Sequence, residues 1–137
     1  MINQLTAEQI VIYKLVKREN SKYHLHFGED GSYTVKLGLD GPIHRLDGPA
    51  VVSADGTEDW YQDGKLHRDP DPETGEELPA VIRPNGGKYW YKHGLLHRLD
   101  GPAVVEPEQH EIWIKDGVWQ KETRLNQCFP YYGPAIG

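Results

Sequence analysis

The nine residues His-Arg-Leu-Asp-Gly-Pro-Ala-Val-Val occur twice without a mismatch, at His44 to Val52 and at His97 to Val105. An exact duplication within 137 residues restricts the chain to folds built by repeating one small unit. Alignment on this segment exposes further copies. A Gly stands three positions before each His, and a large apolar residue four positions before that Gly: Leu37/Gly41/His44, Trp60/Gly64/His67 and Trp90/Gly94/His97. A fourth copy, Trp113/Gly117, carries Gln120 in place of the His. The signature Gly advances by 23 residues from 41 to 64 and from 94 to 117, and by 30 from 64 to 94. A common period of 23 with two insertions, near 69–77 and near 121–132, accounts for the spacing up to a terminal Gly133-Pro134-Ala135-Ile136. Units of this length bury their faces only against one another.

Within a unit the order is Pro-Ala-Val-Val, a polar turn, a strand around Trp, a tight Gly turn and a short strand ending in His-Arg. Asp63-Gly64 between apolar strands is a strong hairpin signal, because Gly supplies the positive φ that primed turns require. Ser53-Ala54-Asp55-Gly56, Asn85-Gly86 and His93-Gly94 mark further turns. The expected fold is mainly β, an antiparallel hairpin meander of about four repeats over 33–137, preceded by an N-terminal helix and capping segment over 1–32. Strand alternation puts Leu37, Trp60, Trp90 and Trp113 on one face and Gly38, Tyr61, Tyr91 and Ile114 on the other. Both faces are then partly apolar, so the sheet curls or its second face receives the N-terminal segment or a partner.

Thr6-Ala7-Glu8-Gln9 fits a capping box and predicts a helix from about 7 to 18, although Ile10-Val11-Ile12-Tyr13 also fits a buried strand. Tyr23 to Phe27 alternates like a strand, with Asp30-Gly31 as a turn, and reads as a decayed leading unit.

Composition narrows the function classes. A net charge of −6 argues against direct binding of a nucleic-acid backbone while leaving open a basic or nucleic-acid-binding protein as the partner. No apolar run approaches the roughly 20 residues of a membrane helix, and no signal-peptide pattern opens the chain. One cysteine, Cys128, excludes an internal disulfide framework, so a cytoplasmic location is expected.

Tyr61-Gln62-Asp63-Gly64-Lys65-Leu66-His67 and Tyr91-Lys92-His93-Gly94-Leu95-Leu96-His97 resemble the MORN repeat and its bacterial MORN-like variant. The likeness covers roughly residues 33 to 120. It departs after the His, where MORN units carry Gly-x-Gly and this chain carries Arg-x-x-Gly-Pro-Ala, a form similar to repeats in phage, viral and bacterial proteins. The resemblance implies a β-meander scaffold that binds other molecules without catalysis.

The pairs His44-Arg45, His67-Arg68 and His97-Arg98 invite a metal reading, but equivalent residues two strands apart lie about 10 Å from one another. Ligands to one zinc must each come within about 2 Å of it. The expectation is structural: His beside the Trp60, Trp90 and Trp113 ladder, and Arg paired with Asp47 or Asp100 or with loop carbonyls. Function is expected where the copies diverge. The candidates are the acidic insertion (Asp69, Asp71, Glu73, Glu76, Glu77), the Tyr61/Tyr91 face, and the aromatic C-terminal insertion (Phe129, Tyr131, Tyr132). No nucleophile elbow, Walker loop, Cys-x-x-Cys or His-Glu-x-x-His motif occurs. The expected function is therefore a non-enzymatic interaction module needing no cofactor, by analogy a phage or bacterial inhibitor that sequesters a host defence protein. Two other readings stand beside it: a small-molecule or nucleotide binder using the Tyr face or the His-Arg ladder, and an enzyme with an unfamiliar His/Asp site.

Overall fold

The computed structural model describes residues 4–124, so Cys128, Phe129, Tyr131, Tyr132 and the final Gly-Pro-Ala lie outside the described residues. The N-terminal segment is a helix, α1 (Ala7–Glu19). Its start is set by the capping box: Gln9 N–H donates to Thr6 Oγ1 at 3.1 Å, and Thr6 N–H donates to Gln9 Oε1 at 2.9 Å. Both groups would otherwise be orphan donors of the first turn. The strand alternative for Ile10 to Tyr13 is thereby set aside.

The remaining chain is a run of short antiparallel strands. They are β1 (Tyr23–Phe27), β2 (Tyr33–Leu37), β3 (Val51–Val52), β4 (Glu58–Asp59), β5 (Tyr61–Gln62), β6 (Lys65–Leu66) and β7 (Val81–Ile82). There follow β8 (Lys88–Tyr89), β9 (Tyr91–Lys92), β10 (Leu95–Leu96), β11 (Val104–Glu106), β12 (His110–Lys115) and β13 (Val118–Arg124). Nine of them form one sheet in the order β1-β2-β3-β4-β7-β8-β11-β12-β13, while β5-β6 and β9-β10 stand aside as two-stranded hairpins. The sheet begins at β1, whose five residues pair with β2, so it takes in the second half of segment 1–32.

Each side hairpin arises because the strand breaks at a Trp. Trp60 lies between β4 and β5, Trp90 between β8 and β9, and in the longer β12 the register shifts between Trp113 and Ile114. Beyond the break the chain closes through Asp63-Gly64, His93-Gly94 or Asp116-Gly117, with φ of 51° and 81°, 48° and 87°, and 50° and 80°. Two successive positive φ values are those of a type I′ turn, which matches the twist of a two-residue hairpin.

Across the sheet, large and small residues alternate. Ala50, Ala80 and Ala103 are fully buried. Trp60 N–H donates to Ala80 O at 2.7 Å and Trp90 N–H to Ala103 O at 2.8 Å, so each indole stands beside a methyl group. A larger side chain at the Ala positions would collide with the neighbouring ring. At the first unit Val16 of α1 packs with Tyr23, Val35 and Ala50, and Ile12, Leu25, Leu37 and Ile43 surround them. The helix therefore covers the end of the array where Leu37 stands in place of Trp.

Candidate functional site

The repeated residues fasten one unit to the next. His44 Nδ1 accepts Asp63 N–H at 3.0 Å, His67 Nδ1 accepts His93 N–H at 2.9 Å, and His97 Nδ1 accepts Asp116 N–H at 2.8 Å. In every case the donor is the first residue of the next unit's I′ turn. The Gly after it is held likewise: Gly64, Gly94 and Gly117 N–H donate to Ile43, Leu66 and Leu96 carbonyls at 2.9, 2.8 and 2.8 Å. An Nδ1 that accepts a backbone N–H carries no proton, which assigns the ring proton to Nε2. In His67 that Nε2–H donates to Asp69 Oδ1 at 2.8 Å, so both ring nitrogens are engaged. His67 also stacks on His93, with centroids 4.2 Å apart.

His67 and His97 pair beside the Trp ladder, donating N–H to the Trp60 and Trp90 carbonyls at 3.0 and 2.9 Å, and Arg stacks over it. The guanidinium carbon of Arg68 sits 3.7 Å from the Trp60 ring centroid and that of Arg98 sits 3.9 Å from Trp90, while Lys121 Nζ takes the equivalent place 4.6 Å from Trp113. For the half-buried Arg68 and Arg98 such contacts contribute on the order of 1–2 kcal/mol each, and less for the exposed Lys121. Arg45, Arg68 and Arg98 each donate from Nη1 to a Pro carbonyl, of Pro49, Pro79 and Pro102, at 3.1 Å, as the loop-carbonyl expectation required. A Cβ on Gly48 would come within 2.5 Å of Arg45 Cζ, and one on Gly101 within 2.8 Å of Arg98 Cζ. The Gly before Pro-Ala thus makes room for the guanidinium.

No ion pair of Arg45 with Asp47, or of Arg98 with Asp100, occurs among the described residues. Arg45, which has no Trp beneath it, is instead forked onto Glu19 of α1, Nε to Oε1 at 2.9 Å and Nη2 to Oε2 at 2.8 Å. Burial disfavours the charge on Arg45, but the Glu19 carboxylate outweighs it and raises the guanidinium pKa.

The acidic insertion is internally tied. Glu77 accepts Leu99 N–H at 3.0 Å and Asp100 N–H at 3.0 Å, and its backbone carbonyl accepts Trp90 Nε1–H at 3.2 Å. Asp71 Oδ1 accepts Glu73 N–H at 2.8 Å and closes the turn of the insertion. The hydrogen bond from His67 holds Asp69 below the usual carboxylate range. Asp69, Glu73 and Glu76 are the exposed carboxylates of the five, and of these Glu73 and Glu76 make no side-chain hydrogen bond among the described residues.

The Tyr face carries an open groove of about 970 Å³ lined by Asp55, Asp59, Val81, Arg83, Tyr89 and Tyr91 among others. Sheet register explains the gathering. Asp59 pairs with Val81 and Val81 with Tyr89, so their side chains stand abreast on the face opposite Trp60. Beyond the strand breaks Tyr91 still lines the groove, while Tyr61 packs against the core cluster at the helix end. Burial raises the pKa of both phenols, and the Asp59 carboxylate raises it further. Burial likewise pushes Asp59 up, against the pull of Arg83. The Arg83 guanidinium lies 5.1 Å from the Tyr89 ring centroid.

Reading the sequence singled out Tyr61 and Tyr91 but missed Asp59, Tyr89 and Arg83. A signal was present, since the residue before the Trp position runs Lys36, Asp59, Tyr89, Ile112, varying in charge as well as size.

Fold and site together define an antiparallel β-hairpin array capped by one helix, with a carboxylate-bearing tyrosine groove on one face. Comparison with family models, curated proteins and solved structures finds no match to this chain. Among the described residues no group of three or more His, Cys, Asp or Glu is placed to hold a metal ion, and no helix is long and apolar enough to cross a membrane.

Proposed function

We propose that this chain is a non-enzymatic interaction module that binds another protein, one that is basic or itself binds nucleic acid. By analogy with the phage and bacterial repeats it resembles, its role is to inhibit and sequester a host defence protein in the cytoplasm. The observation that carries this reading is the contrast between repeated and divergent residues. His, Arg, Trp and Ala are used between units, while the groove around Asp59 and the exposed Glu73 and Glu76 are unlike anything in the other copies. Exposed apolar residues lie apart from both: Leu95 packs against Gly117, followed in the chain by Val118 and Trp119, and Leu95, Val118 and Trp119 are 52, 61 and 60% exposed. Aromatic and aliphatic anchors of this kind suit capture of a protein surface.

The test is capture from a bacterial host lysate with the wild-type chain and with Glu73→Lys/Glu76→Lys as baits, followed by reconstitution with the purified partner. A single basic protein, bound in a fixed ratio and lost from the variant, is the expected result. Equal capture by both baits, or only a non-stoichiometric mixture, would count against the proposal. The size of the groove favours a second reading, a small-molecule or nucleotide binder, because ligand clefts fall in this range. Saturable stabilisation by a nucleotide panel, absent in Tyr91→Ala, would select it.

A further inference from the structure

Over the six strands β3, β4, β7, β8, β11 and β12, Asp59 is the one carboxylate in its row of side chains; the next in register, Glu122, lies beyond Ile112 on β13. From Val51 through Asp59, Val81, Tyr89 and Val104 to Ile112, paired residues of six adjacent strands project from one face. Every other member is aliphatic or aromatic. A half-buried carboxylate in such a row is unfavourable unless something compensates its charge. Nothing in the fold does so directly, since among the described residues Asp59 makes no side-chain hydrogen bond and no ion pair. Arg83 faces it across the groove but rests on Tyr89. Asp55 adds a second carboxylate at the rim, beside the turn Ser53–Thr57.

The groove walls supply what a planar cation requires. The side chains of Tyr89 and Tyr91 line the same solvent-open cleft as Asp59. Phenol rings present negative π faces, and a guanidinium can stack on one while donating two hydrogen bonds to a carboxylate. Arg83 over Tyr89 already makes a contact of this kind. The charge balance agrees, with Asp55 and Asp59 against Arg83 in the groove and −6 over the whole chain.

We propose that the Asp59 groove is a receptor for an arginine side chain of the partner protein, with the guanidinium paired to Asp59 and its plane against Tyr91. The assignment rests on the protein-binding reading above and supplies its chemistry. It also accounts for a charged residue where Val or Ile would stabilise the sheet. Burial energy is given up at this position for recognition.

The test is a titration of the ¹⁵N-labelled full chain with the peptide acetyl-Gly-Arg-Gly-amide, with the same peptide carrying neutral citrulline, and with the variants Asp59→Asn and Glu29→Gln, the latter at an exposed carboxylate away from the groove. The two variants remove the same charge, so bulk electrostatics predicts equal losses. The groove predicts shifts centred on Asp59, Tyr89 and Tyr91, binding weakened about tenfold or more in Asp59→Asn, and change under about twofold in Glu29→Gln. Citrulline should bind at least about tenfold more weakly than arginine. Tyr91→Leu should weaken binding as well, and serves if Asp59→Asn does not fold. Equal losses in the two charge variants, equal binding of citrulline, shifts centred elsewhere, or no binding of the arginine peptide would overturn the assignment. If the arginine peptide fails while protein capture persists in Asp59→Asn, the interaction reading stands and this assignment alone falls.

Discussion

The two faces of the sheet obey opposite rules. On the Trp face the repeated residues make recurring contacts: Arg68 over Trp60, Arg98 over Trp90, and His44, His67 and His97 each latched to the next turn. On the other face the residue before the Trp position differs in each unit, Asp59, Tyr89 and Ile112, and Asp59 and Tyr89 line an open groove. Identity between copies therefore marks the residues that fasten units together, and difference marks where the surface is free to recognise something. The ends of the array follow the same rule. Where Trp is replaced by Leu37, Arg45 turns to Glu19 of the helix, and in the fourth copy Gln120 replaces the latching His and is exposed.

The comparison predicts large stability effects on one face and small ones, partly of opposite sign, on the other. Trp90→Ala should cost about 3–5 kcal/mol in denaturant unfolding, since it empties a buried site and uncovers Arg98, whereas Trp119→Ala, at 60% exposure, should stay within about 0.5 kcal/mol. Within the acidic insertion, Glu77→Ala should cost about 1.5–3 kcal/mol because Leu99 and Asp100 N–H lose a charged acceptor. Glu73→Ala in the same loop should be nearly neutral. His97→Ala should cost about 1 kcal/mol by releasing Asp116 N–H and leave binding of the arginine peptide unchanged, with Gln120→Ala as the neutral counterpart.

The smallest effect is a pH dependence. Asp69 has a lowered folded pKa, so its stabilising contribution is present above the unfolded value of about 3.9 and disappears as pH falls through the folded value. Its side chain is 65% exposed, which keeps the contribution small. Stability curves of wild type and Asp69→Asn should converge in that acidic window and separate slightly at neutral pH.

Much of the scaffold was legible because it is written locally. The Thr6 capping box set the helix start, and Asp-Gly and His-Gly pairs set the I′ turns. Break points at Trp60 and Trp90 were not legible, because they come from the indole packing beside Ala80 and Ala103, residues more than ten positions away. The Arg–Trp stacks and the Glu19 and Glu77 anchors are likewise contacts across units, invisible to spacing within one. The groove was half legible: alternation placed Tyr61 and Tyr91 on one face, but Asp59 gains its meaning only from the strand register that sets it between Val51 and Val81. Grouping the insertion's five carboxylates by charge missed that Glu77 and Asp71 are anchored to backbone N–H groups.

The sharpest test of the contrast between faces is the thermal midpoint of Asp59→Asn at pH 7. A carboxylate whose folded pKa is raised loses stability for the fold as pH climbs past its unfolded value, so removing its charge should help at neutral pH. We expect the midpoint of Asp59→Asn to lie above that of the wild-type chain. A midpoint below wild type would mean that Asp59 supports the fold as His97 and Trp90 do, and would contradict the assignment of recognition to the divergent face.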